Sequence, residues 1–123
     1  MKEHNIDGHI FNINSIAGHY VLNYPRIEVY TATKHAVTAL TELMRKQWQC
    51  RSQKSGLRAC LQSISPGLTD TEMIEDAKKL NLIKDTSPVL YPEDIADAVE
   101  YALSTPPHVQ VHEIMIRPTG DAL

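Results

Sequence analysis

Several common functional signatures are missing from this chain. It has two cysteines, Cys50 and Cys60, without a CxxC spacing, and they read as reduced intracellular thiols rather than a disulfide framework. No apolar run approaches the roughly 20 residues of a membrane span, and Met1-Lys2-Glu3-His4-Asn5 is no signal peptide. Basic residues form no stripe and the net charge is -3, so nucleic acid is not an expected partner. The five glycines, Gly8, Gly18, Gly56, Gly67 and Gly120, form no GxGxxG. No GxSxG elbow surrounds Ser15, which argues against serine hydrolysis. His108 and His112 lie four apart in an expected strand, about 13 Å from each other on one face, so no metal site is expected. What remains is a soluble, cytoplasmic chain of 123 residues, 42% apolar and 22% charged, enough for one domain with a real core.

The pattern along the chain alternates strand and helix. A short strand is expected over 9–15, ended by the turn-like Ser15-Ile16-Ala17-Gly18. A loop with Asn23 and Pro25 follows. A long helix is then expected over 28–50, with Ala36, Val37, Leu40, Leu43, Met44 and Gln47/Trp48 as its buried stripe and Gly56 as the stop after it. A second strand is expected over 57–64, ended by Ser65-Pro66-Gly67. A shorter helix over 70–80 has Thr69 or Asp70 to cap it. A polar stretch over 81–90 leads to a helix that Pro92 opens from its favoured first-turn position, with Ile95, Ala98, Val99, Ala102 and Leu103 on one side. Pro106-Pro107 stops it, and a third strand is expected over 109–117. This order predicts an α/β fold with a parallel sheet. Three strands are few for a class whose sheet is covered on both faces.

One constellation carries chemistry. Tyr30 and Lys34 are four apart, hence on one face of a helix and about 6 Å apart along its axis. An ammonium beside a phenol favours the phenolate, which suits the phenol to acid/base work near neutral pH. Ser15 lies upstream, and a serine hydroxyl on the far side of a reacting oxygen can orient it. Each residue also has an ordinary reading: an exposed helical pair for Tyr30 and Lys34, a strand-ending turn for Ser15, and simple turn chemistry for Pro66-Gly67.

The order Ser15, then Tyr30-Thr31-Ala32-Thr33-Lys34, then Ser65-Pro66-Gly67-Leu68-Thr69-Asp70-Thr71 resembles the short-chain dehydrogenase/reductase family. The stretches Asn14-Ser15-Ile16-Ala17-Gly18-His19, 35–42 and 103–106 are similar to the branch of that family with the insect farnesol dehydrogenases. The resemblance covers nearly the whole chain but only the second half of a usual family member. It implies a partial Rossmann-like sheet, the C-terminal half of a doubly wound fold, in one partial domain over 1–123. It implies hydride exchange between NADP or NAD, with NADP favoured by the branch, and an alcohol or ketone of isoprenoid or steroid type. Tyr30 would be the acid/base, Lys34 its partner and a ligand of the nicotinamide ribose, and Ser15 the group orienting the substrate oxygen. Pro66, Gly67, Leu68, Thr69 and Thr71 would line the cofactor. His19, Tyr24, Met73 and Ile74 would line the substrate. A homodimer or tetramer is implied for the longer protein.

The resemblance also marks what this chain lacks. The family's glycine-rich pyrophosphate turn, the residue that selects NAD from NADP, and the asparagine of the preceding helix do not occur in it. The chain therefore reads as the C-terminal half of a dehydrogenase, with Met1 as an internal methionine, and no turnover is expected from it alone. The alternative is an inactive or interaction-only fragment, whose first strand would be an exposed sheet edge.

Overall fold

The computed structural model describes residues 4, 7–22, 26–55 and 59–121, the side chains of 49–55 and 59 excepted. The expected helix stop at Gly56 and the candidate substrate residue Tyr24 lie outside the described residues. The elements are strand β1 (Gly8–Ile13), a 3-10 turn (Ile16–Gly18), helix α1 (Glu28–Ser55), strand β2 (Ala59–Pro66), helices α2 (Glu72–Lys79) and α3 (Pro92–Ser104), and strand β3 (Glu113–Ile116). The strands form one parallel sheet in the order β1-β2-β3. Gly8 pairs with Ala59 through to Ile13 with Ile64, and Ser63 pairs with Glu113 through to Pro66 with Ile116. This is the partial Rossmann-like sheet with flanking helices that the element order implies.

Strand ends differ from the pattern-based expectation. β1 stops at Ile13, because Ser15 turns into the 3-10 segment as its N-cap. β2 runs on to Pro66, because Pro66 sits where β3 pairs with it. β3 starts at Glu113, not at 109. The helix expected over 70–80 begins at Glu72 with Thr71 as N-cap. Thr69 and Asp70 do not cap it: Thr69 pairs with Leu90, and the Asp70 amide donates to the Leu90 carbonyl at 2.8 Å. α2 ends in a Schellman-type closure. Asn81 takes a left-handed φ of 55°, its amide reaches the Lys78 carbonyl, and the Leu82 amide reaches the Ala77 carbonyl. α3 begins at Pro92 as expected, and the Asp94 carboxylate accepts the Tyr91 amide at 2.7 Å.

The two faces of the sheet are covered differently. Asn12 on β1 reaches Thr41 of α1, so by strand alternation Ile10, Leu61 and Ser63 face α1. His9 and Cys60 point the other way, and they line a cleft with Leu103, Thr105 and Pro106 at the end of α3. α1 and α3 therefore cover opposite faces. The core centres on β2, where Leu61 through Ser65 are all buried, together with Ile16, Ala17, Ile74, Leu90, Ala98 and Ala102.

The expected apolar inner stripe of α1 holds only in part, since Val37, Met44 and Trp48 are half-buried. Leu40 and Leu43 are 56% and 53% exposed, and Ala36 and Gln47 are exposed too. The buried side chains of α1 are Thr31, Thr41 and Arg45, with Lys34 and Thr38 half-buried between them. These five positions are spaced three, four, three and four, which is one face of a helix. They turn inward because the sheet beneath them presents hydrogen-bonding groups, which must find partners once buried.

Candidate active site

Ser15 follows the end of β1, and Lys34 of α1 reaches the carbonyls just before it. Ser15 is buried and extended, with φ of -167° and ψ of 158°, and its Oγ accepts the Ala17 amide at 3.1 Å. Tyr30 lies in the first turn of α1 and Lys34 one turn further. The Lys34 ammonium donates to the carbonyls of Ile13 and Asn14, at 3.2 and 3.1 Å, just before Ser15 in the chain. The same nitrogen lies 5.6 Å from the centroid of the Tyr30 ring. An ammonium has three N–H donors, and these bonds account for two of them.

Two contacts set this geometry. Asn14 donates through Nδ2 to Thr38 Oγ1 at 2.8 Å, and Thr38 donates to the Gly18 carbonyl at 2.9 Å. Gly18 is needed there by close approach. A Cβ on it would sit 2.6 Å from Asn14 Nδ2, 2.7 Å from the Lys34 carbonyl oxygen and 2.7 Å from Thr38 Oγ1. Ser15 and Lys34 are thus fixed through one interlocked junction of β1, the 3-10 turn and α1.

The segment after β2 leaves the sheet beside this junction. The Gly67 amide donates to the Ile116 carbonyl at 2.7 Å, and a Cβ on Gly67 would stand 3.0 Å from Pro118 Cδ. Pro66, Gly67 and Leu68 are half-buried. Thr69 Oγ1 donates to the Gly67 carbonyl and Thr71 Oγ1 to the Thr69 carbonyl, both at 3.2 Å, so both hydroxyls brace the turn. The Leu90 amide donates to the Leu68 carbonyl, which pins the turn to the loop before α3. Met73 is 67% exposed, whereas Ile74 is in the core.

His19 turns back towards the sheet. Its Nε2 is 3.1 Å from Ser65 Oγ and 3.5 Å from Glu113 Oε1, and Ser65 Oγ donates to Glu113 Oε1 at 2.6 Å. Pattern reasoning marked His19 but missed Ser65 and Glu113 as its partners, because they lie 46 and 94 positions away on other strands. Arg45 was missed as well. It is buried, its Nε donates to the Leu61 carbonyl at 3.1 Å and its Nη2 to the His112 carbonyl at 2.7 Å, and it pairs with Glu42. The Thr31-Lys34-Thr38-Thr41-Arg45 spacing was a readable signal for it. The Glu42 carboxyl is held below the usual carboxylate range, first by its hydrogen bond with Lys46 and then by the charges of Arg45 and Lys46. Among the described residues no group of His, Cys, Asp and Glu is arranged to hold a metal ion. Among them, too, no helix is long and apolar enough to cross a membrane.

Residues 1–81 match the family model for short chain dehydrogenases. The chain is 45% identical over 121 residues to a farnesol dehydrogenase of Aedes aegypti, covering 98% of this chain and 46% of that protein. It is 45% identical over 125 residues to the human dehydrogenase/reductase SDR family member 11, covering 97% of this chain and 46% of that protein. The chain thus spans about half the length of the curated relatives it matches. Among solved structures, the closed form of serine dehydrogenase complexed with NADP+ superposes with a TM-score of 0.75 at 28% identity, covering 98% of this chain and 48% of that one. A 4-hydroxyisoleucine dehydrogenase complexed with NADH gives a TM-score of 0.67 at 30% identity, covering 95% of this chain and 48% of that one. With a family model matched over 1–81 and relatives 45% identical over nearly all of its length, the chain belongs to the short-chain dehydrogenase family.

Proposed function

We propose that this chain carries the acid/base half of an NAD(P)-dependent oxidoreductase acting on an alcohol or ketone, with isoprenoid-like alcohols as the favoured substrate class. Tyr30 exchanges the proton at the substrate oxygen, Lys34 stabilises its phenolate form, and Ser15 orients the oxygen. The observation that carries this reading is the Lys34 ammonium, bonded to the Ile13 and Asn14 carbonyls and 5.6 Å from the Tyr30 ring. The farnesol dehydrogenase relative supports the substrate class.

The residues present fit the nicotinamide end of a dinucleotide. The third Lys34 N–H suits a ribose hydroxyl, and the braced turn of Pro66, Gly67, Leu68, Thr69 and Thr71 lies at the same end of the sheet. When bound, the dinucleotide supplies or accepts the hydride. The chain's own residues hold the substrate oxygen and move its proton. Met73 is the exposed candidate on the substrate side. Because no glycine-rich pyrophosphate turn occurs in these 123 residues, the chain by itself should show no turnover.

The test is Tyr30→Phe in the protein that joins this chain to a pyrophosphate-binding half. Turnover of an isoprenoid alcohol should fall by at least about 100-fold, the lower range for losing a general acid/base, with cofactor affinity retained. A variant running near the native rate would remove Tyr30 from this role.

A second reading is favoured by β1, which pairs only with β2 among the described residues. An unpaired parallel edge is a template for another strand, so the chain alone would act through association. Sedimentation of the 123-residue chain separates the two: a well-behaved monomer at micromolar concentration argues against the association reading.

A further inference from the structure

The cluster of His19, Ser65 and Glu113 lies beside the Ser15 turn and has no part in the acid/base scheme above. Its proton arrangement can be worked out from donor counting. Ser65 has one hydroxyl proton, and Oγ donates it to Glu113 Oε1 at 2.6 Å, a length typical of a charge-assisted O–H···O bond. Towards His19, 3.1 Å away, Ser65 can then only accept. The other group near His19 Nε2 is Glu113 Oε1 at 3.5 Å, which is also an acceptor. Both neighbours require the proton to sit on Nε2. In the neutral ring Nδ1 is then a lone-pair acceptor, and it has no hydrogen-bond partner among the described residues. The His19 side chain keeps 22% of its exposure, while Ser65 is fully buried. The ring follows directly on the 3-10 turn that Ser15 caps.

We propose that Glu113, acting through Ser65, locks His19 with its proton on Nε2, and that His19 Nδ1 is thereby presented as a hydrogen-bond acceptor for a second ligand hydroxyl, other than the one whose proton Tyr30 exchanges. Glu113 and Ser65 are positioning residues, and His19 is a specificity residue for a ligand with two oxygens. A ligand that donates a second O–H gains from this acceptor, and a ligand without one does not. The ligand half of the inference rests on the dehydrogenase reading. The proton lock does not.

The experiment is histidine side-chain nitrogen NMR on the chain at pH 8. His19 should show the Nε2–H form, and the Nδ1–H form in the native chain would overturn the lock. Glu113→Gln keeps an oxygen that accepts from Ser65 and should keep that form. Glu113→Leu frees the Ser65 proton to point at His19 and should shift the population towards Nδ1–H, with a backbone amide spectrum confirming the fold. An unchanged population in folded Glu113→Leu would also overturn the lock. A soluble secondary diol, 2,3-butanediol, is then titrated in. The expected result is a shift of the His19 Nδ1 resonance together with the amides of Ser15 and Tyr30. Amide shifts at Ser15 and Tyr30 with Nδ1 unmoved would overturn the acceptor role alone. No shift anywhere would overturn the ligand assignment, with the proton lock intact and the dehydrogenase reading left to the Tyr30→Phe test.

Discussion

The two faces of the sheet are built on different physics. Under α1 the contacts are polar: Asn12 to Thr41, Asn14 to Thr38, Thr38 to Gly18, Lys34 to the Ile13 and Asn14 carbonyls, and Arg45 to the Leu61 and His112 carbonyls. Under α3 the helix itself turns inward apolar side chains, with Ala98 and Ala102 buried and Ile95 and Val99 half-buried, and the sheet adds one polar contact on that face, Gln62 with His9 at 3.1 Å. Apolar burial is non-directional, so it holds a helix down without fixing its azimuth or its position along the sheet. Hydrogen bonds have narrow lengths and angles, so a polar layer fixes both. The face that carries Tyr30 and Lys34 is the one with positional control. Both faces leave buried groups unpaired, Asn14 Oδ1, Thr31 Oγ1 and Ser63 Oγ on the α1 side and Gln62 Nε2 on the other.

This contrast can be broken from either side. The largest effect is expected on the apolar face, where the fully buried Ile64 alternates away from α1. Ile64→Ala should destabilise by about 3 kcal/mol through lost burial and a residual cavity. Urea unfolding measures it, and a loss below about 1 kcal/mol would mean that this face is not the main source of stability.

Gly18→Ala comes next, at about 2 kcal/mol, because the new methyl meets Asn14, Thr38 and the Lys34 carbonyl within 2.7 Å. It should also shift the Lys34 and Ser15 amide resonances more than Ile64→Ala does. Equal shifts in the two variants would undercut the claim that position is fixed on the α1 face. Thr38→Val, nearly isosteric, should cost about 1.5 kcal/mol by stranding Asn14 Nδ2 and the Gly18 carbonyl. A neutral result in urea melts would show that these bonds have good substitutes.

Leu40 on the outer face of α1 is 56% exposed, so Leu40→Ser should change stability by less than about 0.5 kcal/mol. A larger loss that depends on protein concentration would reveal that another surface covers this stripe.

The smallest expected effect is on pH dependence. Glu42 has a lowered folded-state pKa, so its contribution is present above its unfolded value and is lost as pH falls through the folded one. Because the group is exposed, the change should be slight, and Glu42→Gln should flatten it in acid titrations monitored by circular dichroism. An acid slope identical in both proteins would place the sensitivity elsewhere.

Much of this was readable from residues alone. Pro92 opens α3 because its fixed φ suits a first turn, and the Glu28 start of α1 was visible from the pattern that follows it. Tyr30, Lys34 and Ser15 were marked as candidates by spacing and order. The stripe expected of α1 holds at Val37, Met44 and Trp48 but fails at Leu40 and Leu43, which look like core wherever burial alone decides. Arg45 carried no expectation, since nothing local tells a helix that strand carbonyls await its guanidinium. The capping role expected of Thr69 and Asp70 failed because Leu90, some 20 residues on, claims both in a bridge.

Residue order by itself determined the alternation of strands and helices and the family, and marked Ser15, Tyr30 and Lys34 as candidates, because propensity, spacing and motif order are local properties. Only the tertiary structure decided which face of α1 turns inward, what Lys34 bonds to, and that His19, Ser65 and Glu113 share protons. Those outcomes depend on which backbone carbonyls and side chains three strands bring together across dozens of residues, and no local pattern encodes that encounter.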